Sequence, residues 1–388
     1  LNQFIDNGFP NKRVEDWKFS DLNQIISLNI EDLSFYNNVD LSVNIDQSIY
    51  INNFEHNKIV FINGAITNVD FNSEEKDKIE IIKSLDFKDD FISSNPLVSL
   101  NSALISNYIK IIVKENYSLN KPLIIYNITN KDLRSKAINL RTDISLEKNS
   151  TLKLINFFDD SSENNFINIY QKFNLSKDSI LKSYKIDQKK NSNIKYFYNN
   201  INLESNSVSE NFIFSTGSKF IKNEINCNLN DQYSSAFING IINLKNSQHH
   251  EIKTNINHLA ENTKSYQVIK SVLNDNSKGI YQGKIFVDSK AQKTNGYQLS
   301  KALLLNKNTE FDSKPELEIY ADDVKCSHGS TSGNLDEEAI FYLMSRGLNY
   351  QQSKELIING FLLDVVEKIT EPEIKDLIKN IMGIKEWA

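Results

Sequence analysis

Between about residue 108 and residue 333, apolar and polar positions alternate in short runs broken by polar turns, with few prolines. That period of two predicts strand after strand. A small element recurs inside the stretch: Leu, two residues, Asn or Asp, then Ser. It stands at Leu146–Ser150, Leu175–Ser179, Leu203–Ser207 and Leu273–Ser277, and the first three are about 28 to 29 residues apart. Such a spacing lies in the range of solenoid periods. A strand ending in Leu, a turn in which Asx and Ser bond their own backbone, and a further strand would round the corner of a β-helix. A β-sandwich with ordinary Asx turns uses the same residues, so period alone leaves both architectures open.

The flanks have a different texture. Residues 1–108 mix helix signals with one hairpin. Pro10 followed by Lys12–Leu22 reads as a short helix or turn anchored by Trp17 and Phe19, and Asn95–Ile105 places Leu97, Leu100, Leu104 and Ile105 at helical spacing. Between them, Lys58–Thr67 reads as strand, Asn-Gly turn and strand. Residues 334–388 switch to helices. Asn334-Leu-Asp-Glu337 and Thr370-Glu-Pro-Glu373 read as capping boxes, Asn349–Gln352 starts another helix, and Gly347 ends the one before it. The helix after Asn349 carries Leu356, Ile357, Phe361, Leu362, Val365 and Val366, with Ile358 and Leu363 outside the main stripe. So wide an apolar arc must pack on its neighbours or on a partner.

Composition narrows the classes. At 388 residues the chain can bury a substantial core. A net charge of −6 gives no footprint for nucleic acid. Mean hydropathy is −0.44, and no apolar run has membrane-spanning length. The first residues lack the basic and apolar regions of a signal peptide. Two cysteines, Cys227 and Cys326, make no disulfide framework and fit a reducing compartment. The expectation is a cytoplasmic protein, with a plastid stroma open if a transit peptide has been removed.

Candidate chemistry gathers near the end of the strand-rich stretch. Cys326 and His328 share a strand face at spacing i, i+2, and thiolate with imidazole suits iron or zinc. Taken alone, the pair reads more simply as a packed cysteine and a hydrogen-bonded histidine. A closed zinc site needs two further ligands and no other cysteine is near, so a metal would have to be shared with another chain or bound transiently. Gln248–His258 holds three of the five histidines, His249, His250 and His258. The first two diverge on a strand, and a solvated strand surface accounts for the group. Asp322 and Asp323 diverge likewise, which removes them as an acid/base pair for glycoside cleavage. The chain has no Gly-x-Ser-x-Gly elbow, no P-loop and no Gly-x-Gly-x-x-Gly.

Longer runs carry a resemblance. Lys314-Pro-Glu-Leu-Glu-Ile-Tyr-Ala-Asp-Asp-Val-Lys-Cys-Ser-His-Gly329, then Leu335-Asp-Glu-Glu338 and Phe341-Tyr-Leu-Met-Ser-Arg-Gly347, resemble the SufB/SufD family of iron–sulfur cluster assembly scaffolds. Gly283–Val287, Ala291–Gln298, Leu303–Leu305, Gln248–Glu251 and the N-terminal Gly8-Phe-Pro10 with Glu15–Phe19 add to it. The likeness spans nearly the whole chain and is densest from about 279 to 347. It lies on the SufD side. SufB members are typically longer and richer in cysteine, with a cysteine where this chain has Phe311 and a Glu-His-Glu type sequence where it has Cys326-Ser-His-Gly329. Met344 stands in place of a usual Arg, and Ser330-Thr-Ser332 in place of Ala-Thr-Val.

The resemblance implies a mainly β fold: a right-handed parallel β-helix core over 109–333, an N-terminal mixed helical region over 1–108 and a C-terminal helical domain over 334–388. It implies a non-catalytic scaffold that pairs with SufB at the end of the β-helix and docks the SufC ATPase through Leu356, Ile357, Phe361, Leu362 and Val365. Iron or a nascent iron–sulfur cluster would be held transiently between this chain and SufB, with His328 the candidate ligand and Cys326 the weaker one. No stably bound cofactor, nucleic acid or membrane partner is expected. The alternative is a homodimeric metal-binding β-helix scaffold acting without SufB.

Overall fold

The computed structural model describes residues 2–36, 47–72, 74–84, 95–105 and 107–384. The alternating stretch forms a β-solenoid of about eight turns, mainly β, followed by a helical region. Successive strands alternate between two sheets, so hydrogen-bonded neighbours are two strands apart in sequence and run parallel. Phe166–Leu175, Ile194–Leu203 and Phe220–Leu229 follow one another on the first sheet. Ile180–Asp187, Val208–Ser215 and Ser235–Leu244 do so on the second. Parallel pairing of this kind removes the sandwich that the period had left open.

The recurring Leu-x-x-Asx-Ser element explains how the chain turns. Leu146, Leu175 and Leu203 each end a strand of the first sheet and are buried in the interior. Asn149, Asp178 and Asn206 then take φ of 55°, 61° and 58°, a left-handed conformation that Asn and Asp tolerate better than most residues. The following serine is buried, and Ser150, Ser179 and Ser207 donate back to the carbonyls of Glu147, Ser176 and Glu204 at 2.6, 2.6 and 2.7 Å. The fourth copy falls off the period for a structural reason. Leu273 ends a strand of the second sheet, so Leu273–Ser277 rounds the opposite corner.

Unshifted register stacks equivalent positions into columns. Inside run Ile201, Cys227, Ile256 and Ile285, and beside them Leu203 and Leu229. Polar groups are buried in this interior as well: Lys195 is fully buried between the carboxylates of Asp160 and Asp187.

Both outer faces are covered. Trp17, Leu22, Leu97 and Leu100 of the N-terminal region pack on Phe166, Ile194, Tyr196 and Phe220 of the first sheet. The Asn-Gly hairpin pairs Asn57–Ile62 antiparallel with Ala65–Asp70, with Asn63 and Gly64 both at positive φ, and it caps the second sheet through Leu123–Thr129. The helices Tyr350–Val366 and Pro372–Ile381 lie on the second sheet, where Leu362, Val365, Val366, Ile374 and Ile378 meet Ile241, Val268 and Val272.

Two helix starts differ from the sequence reading. Asp336, not Asn334, caps Glu337–Ser345, accepting from the amides of Glu338 and Ala339. Glu371 precedes Pro372–Ile381 without a side-chain cap, because its carboxylate is taken by Lys153 and Lys182 and Thr370 accepts from Lys182. Asn349 and Gln352 do form a capping box. Among the described residues no helix is long and apolar enough to cross a membrane.

Candidate functional site at the open end of the solenoid

The strands Glu310–Ile319 and Lys325–Asn334 end the two sheets, and each is hydrogen-bonded on one side only. Their residues are exposed or half-buried, whereas the inward positions one turn back, such as Gly296, Gln298, Ser300 and Ala302, are buried. An edge of free N–H and C=O groups is a template for pairing with another chain.

Side-chain alternation aims Cys326, His328 and Ser330 towards the axis of this open end. Cys326 stacks on Gly296, whose missing side chain leaves it room: a Cβ there would lie 3.3 Å from Sγ. It is half-buried beside Leu317, Val324 and the buried Ile285 and Val287, and burial pushes its thiol pKa up. That environment favours a protonated, packed thiol over a metal-ready thiolate. His328 follows at the next inward position and is exposed. Phe311, on the facing strand, is partly buried against the interior core.

Beneath His328 the interior turns polar. Gln298 is its register neighbour one turn in, and Gln267 the next. The Tyr281 hydroxyl lies 3.1 Å from Gln267 Oε1 and 3.4 Å from Gln298 Oε1, and Gln298 Nε2 donates to the Glu316 carbonyl at 3.4 Å. Ser300 is hydrogen-bonded to Ser313 at 2.9 Å and to Ser330 at 3.0 Å. Gly283 clears the space these groups occupy, since a Cβ there would fall 2.5 Å from the Tyr281 hydroxyl oxygen. This floor was not legible in the sequence, because Gln298, Tyr281 and Gly283 acquire a common purpose only through register.

No three His, Cys, Asp or Glu side chains converge on a metal position among the described residues. Cys326 and His328 therefore contribute at most two donors to any metal at this end.

The other histidines correct the sequence reading of a solvated surface. His250 and His258 point inward and are fully buried. His250 is bonded to Ser215 at 2.9 Å and to the Ser218 carbonyl at 2.8 Å, and His258 to Thr263 at 2.7 Å and Ser265 at 2.9 Å. His249 points outward but lies under the N-terminal segment, 3.0 Å from Ser20 Oγ. Burial lowers their pKa values, to about 3 for His249 and about 4 for His250 and His258, which keeps them neutral. They are internal hydrogen-bonding groups of the solenoid.

The apolar residues of the helix Tyr350–Val366 divide by burial. Leu362 and Val365 are 1% and 0% exposed and belong to the chain's own core. Leu356 and Ile357 are half-buried, and so is Phe361, which carries the Lys270 ammonium 4.6 Å over its ring. The wide apolar arc thus serves mainly to seat the helix on the second sheet. The exposed apolar surface is on the preceding helix, where Phe341 and Tyr342 are 74% and 57% exposed, with Met344 and Tyr350 nearby in sequence and also exposed. Adjacent aromatics in a solvent-facing helix were the signal that could have shown it.

Residues 126–361 match the family model of the SUF system FeS cluster assembly SufBD core domain. Over 389 aligned residues, 99% of this chain and 90% of the relative, the chain is 26% identical to the iron–sulfur cluster assembly protein SufD of Escherichia coli strain K12. It is 35% identical over 83 residues to a SufBD family protein of Synechocystis, covering 21% of this chain and 18% of that protein. A SufBD family protein of Mycobacterium leprae is 37% identical over 75 residues, 19% of each chain. The solenoid with its helical flank and the match over most of its length place the chain in the SufBD family of iron–sulfur cluster assembly proteins, on the SufD-like side.

Proposed function

We propose that the chain is a non-catalytic scaffold subunit of a SufBCD complex. The observation that carries this reading is the open end of the solenoid: two unpaired parallel edges surround an exposed, inward-aimed His328 over a polar floor. SufB would complete the edges by strand addition and supply the donors that this end lacks. Iron or a nascent cluster is then cargo held across the interface, with His328 as this chain's ligand. Cys326 packs beside it and is the lesser candidate. SufC docks on the C-terminal helical region, and the exposed Phe341 and Tyr342 suit that contact better than the buried Leu362 and Val365. Leu356, Ile357 and Phe361 can add only their accessible parts.

Co-expression with SufB and SufC tests the reading. The expected result is a stable three-protein complex, with His328→Ala assembling normally but yielding less reconstituted cluster. Failure of SufC to associate when SufB is present overturns the partner assignment. An unchanged cluster yield in His328→Ala makes that residue structural. The open edges could also pair with a second copy of the chain, and a homodimer purified alone with stoichiometric iron and sulfide would favour the scaffold without SufB.

A further inference from the structure

A cavity of about 690 Å³ opens on the outer face of the second sheet, beside the end of the helix Tyr350–Val366. Its floor is a ladder. Glu210, Phe237, Tyr266 and Tyr297 occupy one outward column on four successive strands. The Phe237 and Tyr266 rings are stacked at 5.8 Å and 6°, and Tyr297 follows at 6.4 Å. Tyr184 and Phe212, nearly fully buried, line the neighbouring column.

Glu210 ends this aromatic row with its charge unanswered. Its other register neighbour, Lys182, is engaged by Glu371 at 2.6 Å and by Thr370 at 2.8 Å. Among the described residues Glu210 makes no ion pair; Lys368, on the opposite wall of the cavity, makes none either. A half-buried carboxylate beside aromatic rings lacks the partner that such a group ordinarily has. Rings of this kind attract cations through their quadrupole, and a carboxylate at the end of the row adds full charge complementarity.

We propose that this cavity is a binding site for an organic cation, a substituted ammonium or guanidinium group, held against the Phe237–Tyr266–Tyr297 rings and neutralised by Glu210. The site lies on the outer face of the second sheet, with its Tyr297 end beside Ser327 of the terminal strand but on the opposite face from His328, and it does not rest on the assembly reading. Its dimensions exceed a single ammonium group, so the cation can belong to a small molecule or to an arginine or lysine side chain.

The test is calorimetric titration of the full chain with tetramethylammonium and methylguanidinium, with tert-butyl alcohol as a neutral probe of similar bulk and an acetylated arginine amide as the peptide-like arm. Both small cations are expected to bind and the alcohol not to. Tighter binding of the arginine amide than of methylguanidinium assigns the site to a protein side chain, and the reverse order to a free small molecule. Glu210→Gln is expected to weaken cation binding about tenfold, the loss expected for one charge partner at a shielded site. Tyr297→Leu, at the end of the ladder, should weaken it without unfolding the chain, and Lys368→Met should leave it equal or stronger. Binding of the alcohol equal to that of the cations, unchanged affinity in Glu210→Gln, weaker binding in Lys368→Met, or no binding of either cation at tens of millimolar each overturns the proposal.

Discussion

Replacing Gly283 with alanine tests whether the polar floor beneath His328 is a close-packed part of the structure. Gly283 sits at an inward position of Lys278–Val287, between Thr254 on one side and Pro315 on the other. Its backbone is not in the left-handed region, so alanine can adopt the conformation, and stiffening the unfolded chain favours it by about 0.4–1 kcal/mol. Against that stands the added methyl, 2.5 Å from the Tyr281 hydroxyl oxygen, 2.8 Å from Tyr281 Cζ, and inside contact distance of Gln298 Oε1. Tyr281 and Gln298 are both buried, so neither side chain can swing into solvent. Overpacking of this kind costs about 1–3 kcal/mol. Separating Tyr281 from Gln298 leaves buried polar atoms without partners, at about 1–3 kcal/mol more. The net expectation is a loss of about 1–5 kcal/mol once the backbone gain is subtracted. Gly333→Ala supplies the control, because nothing lies within 4 Å of a Cβ there. Urea midpoints for both variants, with amide exchange over the last three turns to localise the effect, decide the matter. If Gly283→Ala moves the midpoint no further than Gly333→Ala, the floor is not packed as described and its tie to His328 fails.

Acid should weaken the fold through the buried histidines. Their folded pKa values of about 3 and 4 lie below the ordinary 6.5, so between pH 6.5 and 4 the unfolded chain binds protons that the folded chain refuses, and stability falls with pH across that window. Each histidine contributes a slope of up to about 1.4 kcal/mol per pH unit, and His258→Gln should visibly flatten the dependence of the urea midpoint on pH; an unchanged slope refutes the assignment. Lys195→Met strands Asp160 and Asp187 in the interior and should cost about 3–5 kcal/mol near neutral pH. Part of that loss should vanish in acid as Asp187, whose pKa burial already pushes up, takes up a proton, so equal losses relative to the parent chain at pH 8 and pH 5 would contradict it. Phe341→Ser with Tyr342→Ser should leave the urea midpoint within about 0.5 kcal/mol of the parent, since both side chains are exposed, while abolishing capture of SufC. Retained capture would move the docking surface elsewhere.

Much of the fold was legible because solenoid corners are local. Leu146, Asn149 and Ser150 specify a buried strand end, a left-handed turn residue and a closing hydroxyl within five positions, and the structure uses each for that. What the spacing could not convey was which sheet a strand joins. Leu273–Ser277 looks like the other three copies and turns the opposite corner, a distinction fixed by pairing across some thirty residues. The same limit explains the histidines. A strand shows that His249 and His250 diverge, but not that a segment more than 200 residues earlier covers one of them or that the facing sheet encloses the other.

Burial separates the two residues of the Cys326-x-His328 pair. They share a face, as strand geometry requires, yet the first stacks over Gly296 among Ile285, Leu317 and Val324 while the second stands clear of the core. One rung of the solenoid thus holds a thiol that packing keeps protonated and an imidazole that solvent can reach. The difference comes from the columns below them: Gly296 makes a hollow into which Cys326 settles, and Gln298 fills the space under His328 and leaves the ring at the surface. An exposed imidazole at an unfinished end, over a floor of hydrogen-bonded side chains, is what the proposed pairing with a second chain requires. By the same logic, filling the hollow with Gly296→Ala should lift Cys326 and disturb the rung without removing His328, so cluster yield should fall less than in His328→Ala. A larger fall in Gly296→Ala would make the thiol the more important of the two.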